Sequence, residues 1–199
     1  MVKQVNWHDF EAKIKDKKIP IFSSLDIRRL FGTSKIASDL LLHRYSKKGY
    51  ITRIKRGLYI LLDTSISEFF IASKLYEPSY ISLETALSYW GVIPETVYEI
   101  TSVTPNATRR FETMGKIFSY TKIKKEAFAG YKIEKQGGLG FYIADAEKAF
   151  VDLNYMRMIK NQKPLSRFNK QKIGPIKTIK YASLFKNPKL TAIITRTLK

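Results

Sequence analysis

The sequence predicts an α+β chain in two parts, and three observations carry that reading. Helix caps and a basic hairpin fill the first sixty residues, strand-like runs set between two helices fill the middle, and the positive charge is gathered at the two ends. Residues 1–62 carry 14 Lys+Arg against 5 Asp+Glu, residues 63–152 carry 10 against 12, and residues 153–199 carry 12 bases and no acid. The 199-residue chain has a net charge of +19. A field of that size concentrates polyanions and speeds their encounter, so nucleic acid is the first partner to consider, although an anionic membrane would answer to the same field.

Composition removes several classes of function. A hydrophobic fraction of 44% with 13% aromatics supplies a core. The absence of cysteine removes disulfides, thiolate nucleophiles, iron–sulfur clusters and most structural zinc sites. The opening "MVKQVNWHDFEAKIKDKK" has no apolar stretch of signal-peptide length. No segment approaches the ~18 apolar residues of a spanning helix. The expected location is cytoplasmic, with no membrane partner.

The first helix is expected to open at Asn6 as N-cap, with Asp9 in its first turn and Val5 and Phe10 forming a hydrophobic staple. Lys17, Lys18 and Pro20 end it. A second helix follows in "SSLDIRRLFG", with Ser24 as the expected N-cap, Asp26 at the positive helix end and Gly32 as the left-handed stop. Thr33 or Ser34 caps a third helix, "SKIASDLLLHRYSKKG", which Gly49 stops. The strands "YITRI" and "LYILL" follow, joined by a "KRG" turn. Two helices split by one glycine, the second longer, then strand, turn and strand, is the order of a winged helix-turn-helix. Residues 1–62 are assigned to that domain.

On this reading the crowded bases of "SKKGYITRIKRGLYIL" have a purpose. A wing laid along the sugar-phosphate backbone must offer cations and a glycine that permits close approach, and Arg53, Lys55, Arg56 and Gly57 supply them. At 100° per residue, Ala37, Leu40, Leu41 and Tyr45 of the third helix are assigned to the core, and Lys35, Asp39, His43 and Ser46 to the opposite face. Ser34 and Ser38 lie near the helix start and join the base-reading set. Arg44 and Lys47 on the flanks, with Arg28 and Arg29 on the preceding helix, are assigned to phosphates. The competing reading makes Lys35 and Asp39 a solvated i,i+4 pair and the hairpin an ordinary basic edge.

Residues 63–199 are assigned to a mixed helix/antiparallel-sheet domain with a basic helical tail. A short helix in "SEFFIASKLYEP" ends before Pro78, and Ser82 caps "SLETALSYWG", with Leu83, Leu87 and Trp90 as its core stripe. The runs "VYEITSVT", "TRRFET", "KIFSYTKI" and "YKIE" read as strands, and "QGGLG" as the hairpin turn before "FYIA". Asp145 caps the helix "AEKAFVDLNYMRM". In the tail, Asn187 and Pro188 are an N-cap and N1 pair, and Leu190, Ile193, Ile194 and Leu198 share the face of a docked helix. Lys170, Lys172, Lys177, Lys180, Lys189 and Arg196 either extend the phosphate-binding surface or are merely solvated.

Little supports catalysis. Nucleophilic or acid–base chemistry needs a base beside a nucleophile, and the histidines, His8 and His43, sit at surface-like helical positions. "QGGLG" is neither a P-loop nor a dinucleotide fingerprint. No catalytic residue, metal site or cofactor is assigned. The enzymatic alternative is a metal-dependent nuclease built from carboxylates of distant segments.

The segments "YISLETALSYWGVIPE", "YEITSVTPNATRRFET" and "YIADAEKAFVDL" together resemble the AbiEi family of abortive-infection antitoxins. The front segment "SSLDIRRLFGTSKIASDLLLHRYSKKGYITRIKRGLYIL" resembles that family's DNA-binding half. The resemblance spans about residues 5 to 156. It implies an antitoxin of a type IV toxin–antitoxin system that binds repeats in its own promoter as double-stranded DNA and represses its operon. It also implies a second domain that counters a nucleotidyltransferase-like toxin. By the family's motif, Arg109 and Arg110 in "TRRF" and Glu147 and Lys148 in "AEKA" are that domain's candidate residues. The competing reading has Arg109 and Arg110 simply flanking a strand and makes Lys148 with Asp152 an ordinary i,i+4 pair. A ligand-responsive regulator without a toxin partner is the alternative function.

Overall fold

Asn6 opens the first helix, its side-chain oxygen accepting the Asp9 N–H at 2.9 Å. The computed structural model describes residues 5–62 and 65–198, and the chain divides into two units, Met1–Ile66 and Ser67–Lys199. The front unit holds α1 (Trp7–Asp16), α2 (Ser24–Phe31), α3 (Lys35–Lys47), β1 (Ile51–Lys55) and β2 (Leu58–Leu61). Its core joins Phe10 and Ile14 of α1 to Ile27 of α2, Leu41, Leu42 and Tyr45 of α3, and Ile51 and Leu61 of the hairpin. Val5 packs against that core, and the Tyr45 hydroxyl donates to the Val5 carbonyl at 3.0 Å. Burial pushes the Tyr45 phenol up, with Arg44 pulling it back.

One expectation for the caps of these helices changes. The N-cap of α2 is Ser23, not Ser24, because only Ser23 places Asp26 at the third helical position, where its carboxylate accepts the Ser23 N–H at 2.8 Å and closes a capping box. Phe22, which the sequence reading leaves unassigned, exchanges both backbone hydrogen bonds with Tyr59 at 2.9 Å, so the β1–β2 hairpin gains a third strand-like edge. Gly32 takes φ 64 and stops α2 as expected, and Ser34 rather than Thr33 caps α3.

The larger correction concerns the rotation of α3. Its buried face is Ser38, Leu41, Leu42 and Tyr45, whereas Leu40, assigned to the core, is 63% exposed. Ser38, assigned to the major groove, is fully buried, and its hydroxyl shares a 2.6 Å hydrogen bond with that of Thr33. Because Leu42 joins the core, the expected polar face lies roughly 75° from the direction opposite the core, taking about 100° per residue. The outward ridge is Ile36, Leu40, His43 and Lys47, all exposed.

The rear unit is built on a six-stranded sheet in the order β5-β6-β4-β3-β8-β7. Its strands are β3 (Tyr80–Ile81), β4 (Glu99–Thr104), β5 (Arg109–Thr113), β6 (Lys116–Lys122), β7 (Tyr131–Gln136) and β8 (Leu139–Ala144). The sheet is mixed, since β4 runs parallel to β6 and β3 parallel to β8 while the remaining pairs are antiparallel. Helices α4 (Glu68–Leu75) and α5 (Leu83–Tyr89) pack against strands of this sheet, and the long α6 (Ala146–Ile159) packs against α5 and β8. The tail forms two helices, α7 (Pro175–Ser183) and α8 (Pro188–Leu198), docked on α6. Of these α7 was not expected, although Gly174 and Pro175 are an ordinary N-cap and N1 pair.

At the centre of this unit lies a charged pair. Lys148 and Asp152, one turn apart on α6, are both fully buried and form an ion pair. The second Asp152 oxygen accepts from the Ser82 hydroxyl at 2.8 Å and the Tyr80 hydroxyl at 3.1 Å. The Lys148 ammonium rests 4.9 Å from the Phe185 ring centroid and 5.8 Å from that of Tyr80. Burial pushes the Asp152 carboxyl up, while Lys148, Ser82 and Tyr80 draw it back. Since the Ser82 hydroxyl is turned to Asp152, it does not cap α5.

Asp152→Ala strands a buried ammonium and should cost about 3–5 kcal/mol, whereas Lys148→Met with Asp152→Leu should recover most of that loss. Urea unfolding followed by the fluorescence of Trp90 checks both. In the front unit, Ser38→Ala should cost about 1–2 kcal/mol by leaving the Thr33 hydroxyl unpaired. Ile36→Ser, on the opposite side of the same helix, should stay within about 0.5 kcal/mol. An equal cost for the two would mean that α3 is rotated otherwise than described.

Candidate nucleic-acid interface

The candidate interface belongs to the front unit and is assembled from the last turn of α2, the outward side of α3 and the β1–β2 hairpin. Arg28 and Arg29 are exposed in the last turn of α2, where cations also meet the negative end of the helix dipole. A three-residue turn, 32–34, then leads into α3. Ser34 is exposed, but its hydroxyl oxygen already accepts the Ala37 N–H at 3.2 Å as the helix cap. Lys35, Asp39, His43, Arg44 and Lys47 are all exposed along α3. Arg44 lies against the Tyr45 ring, its guanidinium 5.4 Å from the centroid.

The hairpin has the form expected of a wing. Arg53 pairs with Tyr59 and Lys55 with Leu58, so Ile54 is an extra residue that turns its side chain into the core. Its turn is Arg56 and Gly57, with Gly57 at φ 82 and open space where a Cβ would stand. Arg53 and Arg56 are exposed and Lys55 is half-buried. Among the described residues, Arg28, Arg29, Lys35, Arg44, Lys47, Arg53 and Arg56 form no ion pair with a carboxylate. These seven cations are therefore unneutralised by the fold, which is the condition for binding phosphate oxygens. Ser38 drops out of the candidate set because it is buried, and Ile36 and Leu40, which the sequence reading had not placed on the outward face, enter it.

The four candidates of the rear unit do not converge. Arg109 and Arg110 are exposed on β5, an edge strand, and Arg110 Nε lies 3.6 Å from a Glu99 carboxylate oxygen. Lys148 sits under Tyr80 of β3, three strands away along the sheet. Lys148 is fully buried and so offers a partner nothing. Glu147 accepts the Gly174 N–H at 3.3 Å and pairs with Lys177 at 3.2 Å, while Asp145 pairs with Lys177 at 2.9 Å and accepts the Tyr181 hydroxyl at 2.8 Å. Burial, reinforced by Asp145, pushes the Tyr181 phenol up to about 12. These acids hold α7 to the start of α6. Of the tail cations, Lys177 is committed to that contact and Lys172 donates to the Trp90 carbonyl at 3.0 Å, whereas Lys170, Lys180, Lys189 and Arg196 are exposed.

No helix among the described residues is long and apolar enough to cross a membrane. No curated protein matches the chain. Residues 12–61, about a quarter of its length, match the model of a family described as transcriptional regulator, AbiEi antitoxin. That span runs from the middle of α1 through β2, and so covers the turn, the outward helix and the wing. Over those residues the front unit is similar to the AbiEi antitoxin family of transcriptional regulators.

Proposed function

We propose that this protein is the antitoxin of a type IV toxin–antitoxin pair and the repressor of its own operon. In that reading α3 enters the major groove of repeats in the promoter, with the start of the helix nearest the bases. The β1–β2 wing, Arg28 and Arg29 hold the sugar-phosphate backbone. The observation that carries the proposal is the set of seven exposed cations, none paired with a carboxylate among the described residues, gathered on the elements of a winged helix-turn-helix. Residues Lys35 and Asp39 near the start of α3 supply donors and acceptors for base edges. The rear unit, with exposed Arg109 and Arg110, is the part assigned to countering a nucleotidyltransferase-like toxin.

A mobility-shift titration of the full chain on the duplex upstream of its gene tests the repressor reading. If about six phosphates are engaged, affinity should fall on the order of a thousandfold between 50 and 200 mM salt. Arg56→Ala should weaken binding to operator and random duplex alike and reduce the salt slope by about one. Lys35→Ala should cost the operator about 1–3 kcal/mol and random duplex much less. Equal affinity for operator and random duplex at every salt concentration would remove the repressor. For the antitoxin reading, Arg109→Ala with Arg110→Ala should abolish rescue of cells expressing the neighbouring toxin while leaving DNA binding intact. Full rescue by that variant would place neutralisation elsewhere.

A further inference from the structure

The side of α3 that points directly away from the core is not polar throughout. Ile36 is 74% exposed and Leu40 is 63% exposed, and at i,i+4 spacing they form one continuous aliphatic strip, with His43 and Lys47 completing the ridge. Single exposed apolar residues are common and need no explanation. A pair on the outermost ridge of the helix that the wing and its cations accompany is a more specific arrangement. Lys35 and Arg44 lie on its two sides, both exposed and neither paired with a carboxylate among the described residues, and with Lys47 they outweigh the exposed Asp39 on the Lys35 side. The surface that covers it must therefore be negatively charged at its edges and apolar at its centre.

A second copy of this face fails that requirement, because a two-fold contact would bring the Lys35, Arg44 and Lys47 cations of one copy against those of the other. The major groove of duplex DNA meets it. Phosphates line both rims, and the C5-methyl of thymine is the apolar feature on its floor. RNA does not, since the A-form major groove is too narrow for a helix and uracil lacks the methyl. We propose that Ile36 and Leu40 read thymine methyl groups, so that the operator half-site carries A·T pairs opposite the first two turns of α3. This inference rests on the DNA-binding reading above and adds to it the base that is read and the side chains that read it.

Replacing thymine by deoxyuridine in the upstream duplex deletes only the methyl, and so tests the wild-type full-length chain without altering the protein. Each contacted thymine replaced should weaken binding roughly three- to fivefold, as expected for burying one methyl group. The Ile36→Ser, Leu40→Ser chain should bind the thymine duplex more weakly, show no further loss on the deoxyuridine duplex, and keep the wild-type salt slope, because no phosphate contact is removed. Equal wild-type affinity for the two duplexes, or the same deoxyuridine penalty in the variant, would overturn the inference while leaving sequence-specific DNA binding in place. Absence of any operator preference in the wild type would overturn both. A wild-type dimer that becomes monomeric in the variant by sedimentation would assign the strip to self-association instead.

Discussion

The seating of Leu41, Leu42 and Tyr45 of α3 against Phe10, Ile14, Phe22 and Ile27 is the constraint on which the front unit's function depends. A helix has only one side to give to its core, so the three residues that fill it determine every direction the others take. Tyr45 adds direction to mere burial. Its ring meets Trp7 and Phe10 edge-on, at 5.1 and 5.0 Å between centroids, and its hydroxyl is tied to the Val5 carbonyl. The Thr33–Ser38 hydroxyl pair pins the start of α3 to the turn that precedes it. With both ends so held, the ridge from Ile36 to Lys47 faces outward without any side chain of that ridge contributing to the hold.

The rear unit rests on a different kind of constraint. Lys148, Asp152, Ser82 and Tyr80 form a polar knot where apolar side chains would pack as well, and its members come from three elements: Lys148 and Asp152 from α6, Ser82 from the start of α5, and Tyr80 from β3. Asp152 accepts from three donors, which satisfies the carboxylate, while the lysine, with one hydrogen bond, relies on the faces of Phe185 and Tyr80. Gly130 shows how tightly the region is closed: a Cβ there would lie 2.6 Å from the Tyr181 ring and 3.0 Å from Lys148 Cγ, and its φ of 78 suits glycine. A buried pair of this kind contributes more to fixing which helix lies over which strand than to net stability.

Most of the elements were legible because the signals that bound them are local. Asn6, Gly32, Ser34, Gly49, Gly57, the Gly137–Gly138 turn and the Asn187–Pro188 pair each act on backbone within a few residues, and each boundary falls where those residues stand. What escaped is non-local. The pairing of Phe22 with Tyr59 joins residues 37 positions apart, and the two-residue β3 takes its place from pairing with β4 and β8. The rotation of α3 was ambiguous because Leu40, Leu41 and Leu42 are consecutive, so that periodicity alone permits either outer leucine to be buried. The signal that decides it is Ser38, which falls with Leu41, Leu42 and Tyr45 only if a serine is accepted in the core, and its partner Thr33 lies outside the helix.

Net charge is the most visible property of the sequence and the least direct guide to the interface. In the rear unit Lys148 is buried in its own ion pair, Lys177 lies between Asp145 and Glu147, and Lys124 and Lys172 donate to the carbonyls of Phe185 and Trp90. Those four cations are part of the architecture, and a polyanion that took them would have to break the contacts that place α7 and the chain around Phe185. The front unit differs in kind. Its helices obtain their placement from aromatic and aliphatic packing, so Arg28, Arg29, Lys35, Arg44, Lys47, Arg53 and Arg56 carry no structural duty that ion pairing would impose. Affinity for a duplex grows with the number of counterions released, and only cations whose charge the fold leaves uncompensated release them at no cost to the fold. An apolar core therefore does more than stabilise this unit: by holding the helices without using their charges, it leaves those charges for the phosphates.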